Sequence, residues 1–99
     1  MIRHIVFWRL KGDTPEEKAR LASEIKVALE ALNGKIPGMI RLEVGFDFSQ
    51  SAESSDIALY SEFESREALD AYQTHPEHVQ VMPLVKAART ERRTVDYSI

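Results

Sequence analysis

The chain has 99 residues, with 13 Lys or Arg against 16 Asp or Glu, a formal net charge of -3 and a pI of about 5.6. That length holds one domain and leaves no room for a second. The lack of cysteine removes disulfides and thiolate metal sites, no run nears the ~20 apolar residues of a membrane span, and the acidic balance argues against nucleic acid as a partner. The N-terminal residues Met1 to Val6 enter a strand-like pattern without a signal peptide's apolar stretch, so the expected setting is cytoplasmic.

Residues 2–10 concentrate Val, Ile, Phe and Trp and read as a first strand. His4, Val6 and Trp8 share one face, while Ile5 and Phe7 share the other. Both faces are apolar at the centre, which suits a strand covered on two sides. Thr14, Pro15 and Glu17 then announce a helix, as N-cap, first helical residue and capping-box acid. Leu21, Ile25, Ala28, Leu29 and Leu32 give it one apolar stripe. Asn33-Gly34 is its expected stop, and Ile36-Pro37-Gly38 the turn that follows.

Ile40, Leu42, Val44, Phe46 and Phe48 alternate with polar residues and glycine, predicting a second strand with one apolar face. In the third strand Ile57, Leu59 and Phe63 face one way, Ala58 and Tyr60 the other. Ser65 can cap a short helix carrying Ala68, Leu69 and Tyr72. Pro76 ends that helix and starts another, whose stripe is Val81, Leu84, Val85 and Ala88; Pro83 is expected to kink or delay it. Residues 92–98 form a last strand, with Val95 and Tyr97 on one side.

This βαββαβ order predicts an α+β, ferredoxin-like protomer: a four-stranded antiparallel sheet with helices on one face. The opposite face, carrying Ile5 and Phe7 with Ala58 and Tyr60, then needs a partner. A second copy of the chain, packed sheet to sheet as a two-fold homodimer, meets that need. The competing arrangement is a monomer whose termini cover the sheet.

The chemistry available to a cysteine-free chain centres on its 3 histidines, His4, His75 and His78, with Tyr72 close by. Pro76 places His75 at a helix cap and His78 in the first turn, where the helix dipole disfavours protonation. A neutral imidazole there can act as a general base, and a nearby tyrosine can hold a carbonyl or enolate oxygen. Each has a structural alternative: His4 as a hydrogen-bonded core residue, His75 as a cap, Tyr72 as the amphipathic edge of the core. His75-x-x-His78 has the spacing of a metal pair but straddles a helix start without a zinc signature, so no metal is assigned.

No Gly-rich phosphate loop and no Gly-x-Ser-x-Gly or Cys/His nucleophile arrangement is present. The third strand, DIALYSEF, lacks the glycines and basic residues of an RNA-recognition strand. Arg89, Arg92 and Arg93, balanced by Glu91 and Asp96, read as a solvated face.

Several segments together resemble one family, the stress-responsive A/B-barrel domain or Dabb family, over nearly all of residues 1–99. They are Ile2-x-His4-Ile5-Val6, Ile36-Pro37-Gly38, Phe63-Glu64-Ser65 with Ala68-Leu69, Tyr72-x-x-His75-Pro76-x-His78, and Val95-Asp96-Tyr97. The resemblance implies a homodimeric α+β barrel of two ferredoxin-like protomers, each with a pocket between helices and sheet. One plant branch looks like polyketide cyclases, which close a β-keto chain by aldol condensation without a cofactor. Its catalytic tyrosine and histidine match Tyr72 and His78, and its N-terminal pocket histidine matches His4. On that pattern the pocket is lined by Val6, Trp8, Ile57, Leu59 and His75 and takes a small apolar carbonyl or aromatic ligand. Trp8 departs from it as a large residue able to narrow or plug the cavity. A plugged pocket would instead suit a non-catalytic stress-related binding or stability protein, and an oxidisable aromatic ligand a cofactor-free monooxygenase.

Overall fold

The computed structural model describes residues 1–99 as β1 (Ile2–Leu10), α1 (Pro15–Glu30), β2 (Met39–Phe46), β3 (Ile57–Phe63), α2 (Arg66–Thr74), α3 (Pro76–Ala88) and β4 (Arg89–Ser98). The strands make one sheet in the order β2-β3-β1-β4, every neighbouring pair antiparallel. This is the ferredoxin-like βαββαβ arrangement, with β1 and β3 central. No helix is long and apolar enough to cross a membrane.

The helices begin where local chemistry tells them to. Thr14 accepts the Glu17 N–H at 3.2 Å, and the Glu17 carboxylate accepts the Asp13 N–H at 2.7 Å. Ser65 accepts the Ala68 N–H at 3.1 Å to start α2. The His75 ring nitrogen Nδ1 accepts the Glu77 N–H at 3.1 Å to start α3, with Pro76 in the first helical position. α3 then runs unbroken through Pro83, so the expected delay does not occur. Pro83 and Val79 are both exposed, and water can take the carbonyl that proline leaves without an N–H.

Helices cover one sheet face only. Ile2, Val6, Trp8 and Leu10 of β1, Leu42 and Val44 of β2, and Ile57, Leu59 and Phe63 of β3 are buried against Ile25 and Leu29 of α1, Leu69 and Tyr72 of α2, and Val85 and Ala88 of α3. On the opposite face Phe7, Val95 and Tyr97 remain 38%, 46% and 40% exposed. Gly38 lets α2 come close to the turn before β2: at φ +79, a Cβ on it would lie 2.6 Å from that of Ala68.

β2 departs from the alternation read in the sequence. Only Leu42 and Val44 are buried; Ile40 and Phe46 stay about half exposed and Phe48, beyond the strand end, is 93% exposed. A register shift between Met39 and Arg41 breaks the period at Ile40. The ammonium of Lys26 lies over the Phe46 ring, 5.6 Å from its centre. β4 also begins earlier than expected, at Arg89 rather than residue 92, because it follows β1 to Leu10 through a bulge.

Candidate functional site

The layer between sheet and helices is not fully packed. A cavity of about 240 Å³ lies between β1, β3, β4 and the three helices. Its walls include His4, Val6, Trp8 and Leu59 from the sheet and Tyr72 and His78 from the helices. Trp8 is therefore one wall of an open space and does not fill it. A dry cavity of about 150 Å³ can hold benzene, so this one suits a ring with a short polar substituent.

Two of the residues expected at the cavity lie elsewhere. Ile57 is buried opposite Trp8 in the β1–β3 pairing, one inward position beyond Leu59, and its side chain belongs to the core at the end of the sheet. His75 is held at the start of α3, its extended backbone and its bond to Glu77 keeping it on the cap. His75 and His78 thus diverge, and no three His, Asp or Glu side chains meet in metal-holding geometry.

Tyr72 and His78 do meet. Tyr72 is the seventh residue of α2 and His78 the third of α3, and the turn at His75-Pro76 folds their rings to 4.2 Å between centres. His78 Nδ1 lies 3.3 Å from the backbone oxygen of Gln73. A carbonyl only accepts, so Nδ1–H donates and Nε2 of the neutral ring keeps a lone pair. Desolvation is the largest influence on His78 and holds its pKa below the ordinary imidazole value. The Gln73 bond opposes that shift, while the charges of His4, Arg92 and His75 assist it. Burial drives Tyr72 the other way, raising its hydroxyl well above the usual phenol range against a smaller opposing effect of Arg92. The pair at neutral pH is an unprotonated imidazole beside a protonated phenol.

His4 is buried on the neighbouring wall, its ring 6.2 Å from that of Tyr72. Its Nδ1 is hydrogen-bonded to Asp96 Oδ1, the residue directly opposite it on β4. The carboxylate fixes the ring orientation and the tautomer, leaving Nε2 as the second nitrogen.

Sequence spacing did not reveal the basic side of the cavity. Lys86, Arg89 and Arg92 all line it, joined by Gln73 and Met82. Lys86 and Arg92 are exposed and Arg89 half-buried, so the arginines keep their place on a solvated face while also rimming the cavity. The informative signal is register: Arg92 stands opposite Trp8, and Asp96 opposite His4, so both share the inward side of β1.

Similarity to known proteins agrees with this architecture. The family model described as stress responsive A/B barrel domain, Dabb, matches residues 2–99. The chain belongs to that family. A dimeric protein with a ferredoxin-like fold from Bacteroides fragilis is 38% identical over 99% of this chain and 95% of its own, with TM-score 0.87. A Dabb protein with a ferredoxin-like fold from Mesorhizobium loti is 26% identical, with coverages of 99% and 95% and TM-score 0.74. The hydroxynitrile lyase of Passiflora edulis shares the Dabb chain's fold at 22% identity, with coverages of 99% and 92% and TM-score 0.80. No curated protein matches the sequence.

Proposed function

We propose that this Dabb protein is a homodimer whose protomers each carry out acid–base chemistry on a small carbonyl compound, with His78 as base and Tyr72 as donor to the carbonyl oxygen. The observation that carries the reading is the open cavity of about 240 Å³ on which a neutral His78 and a protonated Tyr72 converge. A side-chain-filled pocket would have favoured a purely structural role.

In this reading His78 Nε2 takes a proton from the carbon next to the carbonyl. The C–H electron pair moves into the C–C bond and the carbonyl π pair onto oxygen, where the Tyr72 hydroxyl stabilises the enolate. In an aldol closure the enolate carbon attacks a second carbonyl of the same molecule, and the His78 imidazolium returns its proton to the alkoxide formed. His4, oriented by Asp96, sets the polarity of the adjoining wall. The dimer is supported by the apolar outer face of Ile5, Phe7, Ala58 and Val95 and by the dimeric state of the 38% identical Bacteroides protein.

Proton exchange tests the chemistry before the natural substrate is identified. Acetophenone and levulinate, incubated with the protein in D₂O, should take up deuterium next to the carbonyl in proportion to enzyme, as followed by proton NMR. His78→Ala should slow exchange about 10²-fold or more, the usual contribution of a general base, and Tyr72→Phe about 10²-fold. Enzyme-dependent exchange that survives His78→Ala would remove its assigned role. No enzyme-dependent exchange with either ketone would overturn the catalytic reading and leave a ligand-binding protein.

A further inference from the structure

The charge around the cavity is one-sided. Lys86, Arg89 and Arg92 line it and no Asp or Glu does, in a chain where acids outnumber bases 16 to 13. None of these three cations belongs to an ion pair, a property they share with Arg3, Lys11, Lys35 and Arg66; what sets them apart is that they border one cavity. Asp96, paired with the cavity-lining His4 on β1, is already bonded to that residue.

Helix chemistry explains part of this pattern and fails for the rest. Lys86 lies in the last turn of α3 and Arg89 caps it, so both complement the negative end of the helix dipole. Arg92 does not. It is on β4, across from Trp8, and its charge reaches both Tyr72 and His78. Trp8 itself adds a second unused donor on that side: its indole Nε1 is buried without a hydrogen-bond partner, although buried donors are normally paired.

We infer that the cavity takes an anionic ligand, a small aromatic or keto carboxylate, with its carboxylate held at the Arg92 and Lys86 end and its apolar body directed toward Tyr72 and His78. This rests on the small-ligand reading of the cavity and specifies the substrate class for it. The guanidinium of Arg92 offers paired N–H donors that match a carboxylate edge, and Lys86 adds a mobile point charge. A neutral ketone of the same shape would leave these cations, exposed at the cavity rim, with water alone as partner, whereas a carboxylate adds charge-assisted hydrogen bonds. The arrangement therefore selects for charge as well as for size.

Trp8 is the one tryptophan of the chain, so its fluorescence reports on the cavity wall. Benzoate and benzamide, nearly equal in shape and different in charge, are the probes. Benzoate should perturb Trp8 emission saturably and bind about tenfold or more tightly than benzamide, an advantage that shrinks as salt is raised. Arg92→Gln should erase that preference, Lys86→Gln should weaken it, and Lys35→Gln, which removes the same charge from an exposed turn, should leave it intact. His78→Ala should retain it, which separates anion selection from proton transfer. Circular dichroism establishes that the variants are folded. Equal affinity for the two probes, no response to either, or a preference that survives Arg92→Gln overturns the inference. Equal affinity for the two probes with acetophenone exchange intact would leave the acid–base chemistry standing, and benzoate preference without exchange would leave anion binding alone.

Discussion

At the scale of single residues, the site depends on burial moving two ordinary side chains in opposite directions. His78 is held neutral and Tyr72 is held protonated by the same desolvation, the two states that the proposed base and donor require. Because the folded-state pKa of His78 lies below its unfolded value, the unfolded chain takes up its proton first as pH falls. Its contribution is fully present above the unfolded imidazole pKa of about 6.5 and is lost as pH drops toward the lower folded value. The urea midpoint of the wild type should therefore fall more steeply between about pH 7 and pH 5 than that of His78→Asn. Parallel profiles for the two proteins would show that His78 is not held neutral. The same residue scale shows where sequence reading stopped. Tyr72 and His78 lie six positions apart across a proline turn, a local relation that the chain itself displays. Arg92 and Asp96, themselves exposed, adjoin the cavity only through a pairing with residues at the other end of the chain, and nothing local separates them from the other exposed charges of β4.

Among the elements, strands and helices were legible wherever period and capping agreed. Thr14, Ser65 and Pro76 mark their helix starts because the side-chain oxygen, or the absent N–H, acts within a few residues. β2 was the harder case, since its bulge at Ile40 and its position at the sheet edge weaken the inside–outside alternation. That edge is finished by α1. The Asn33 side chain donates to the Leu42 carbonyl at 2.8 Å and accepts the Leu42 N–H at 2.9 Å, while the Glu30 carboxylate accepts the Val44 N–H at 3.0 Å. Asn33 thus serves as a strand neighbour in miniature, while α1 itself ends earlier than the expected Asn33-Gly34 stop, at Glu30 with Ala31 as its cap. Lining the edge in this way also withholds it from pairing with another chain. Asn33→Ala should cost about 1–2 kcal/mol in urea unfolding, from the loss of two partly buried hydrogen bonds. It should also speed amide exchange at Leu42 in particular. Unchanged protection there would mean that β2 keeps its edge closed without Asn33.

For the whole molecule, the governing fact is thinness. The protomer measures 39 × 27 × 18 Å and buries only 21 of its 99 residues, so one helix layer on one sheet is all it contains. A second sheet packed on the outer face would supply the missing layer at the usual spacing of about 10 Å. Sedimentation equilibrium should accordingly give twice the 11.3 kDa chain mass. Phe7→Asp combined with Val95→Asp should yield a monomer, because unpaired carboxylates cannot be buried between the sheets. A wild type that sediments as a monomer would reject the two-fold assembly. The pairing of His4 with Asp96 carries a further consequence, one of timing. These residues are separated by 92 positions, so their contact encloses nearly the entire polypeptide. A growing chain makes Trp8 and His4 almost at once, yet has no cavity until β4 emerges and docks beside β1. Contacts of such long range form late and slow the search for the native state. Ligand capture should consequently be among the last properties acquired during refolding, and recovery of the Trp8 binding signal should lag behind recovery of helical circular dichroism.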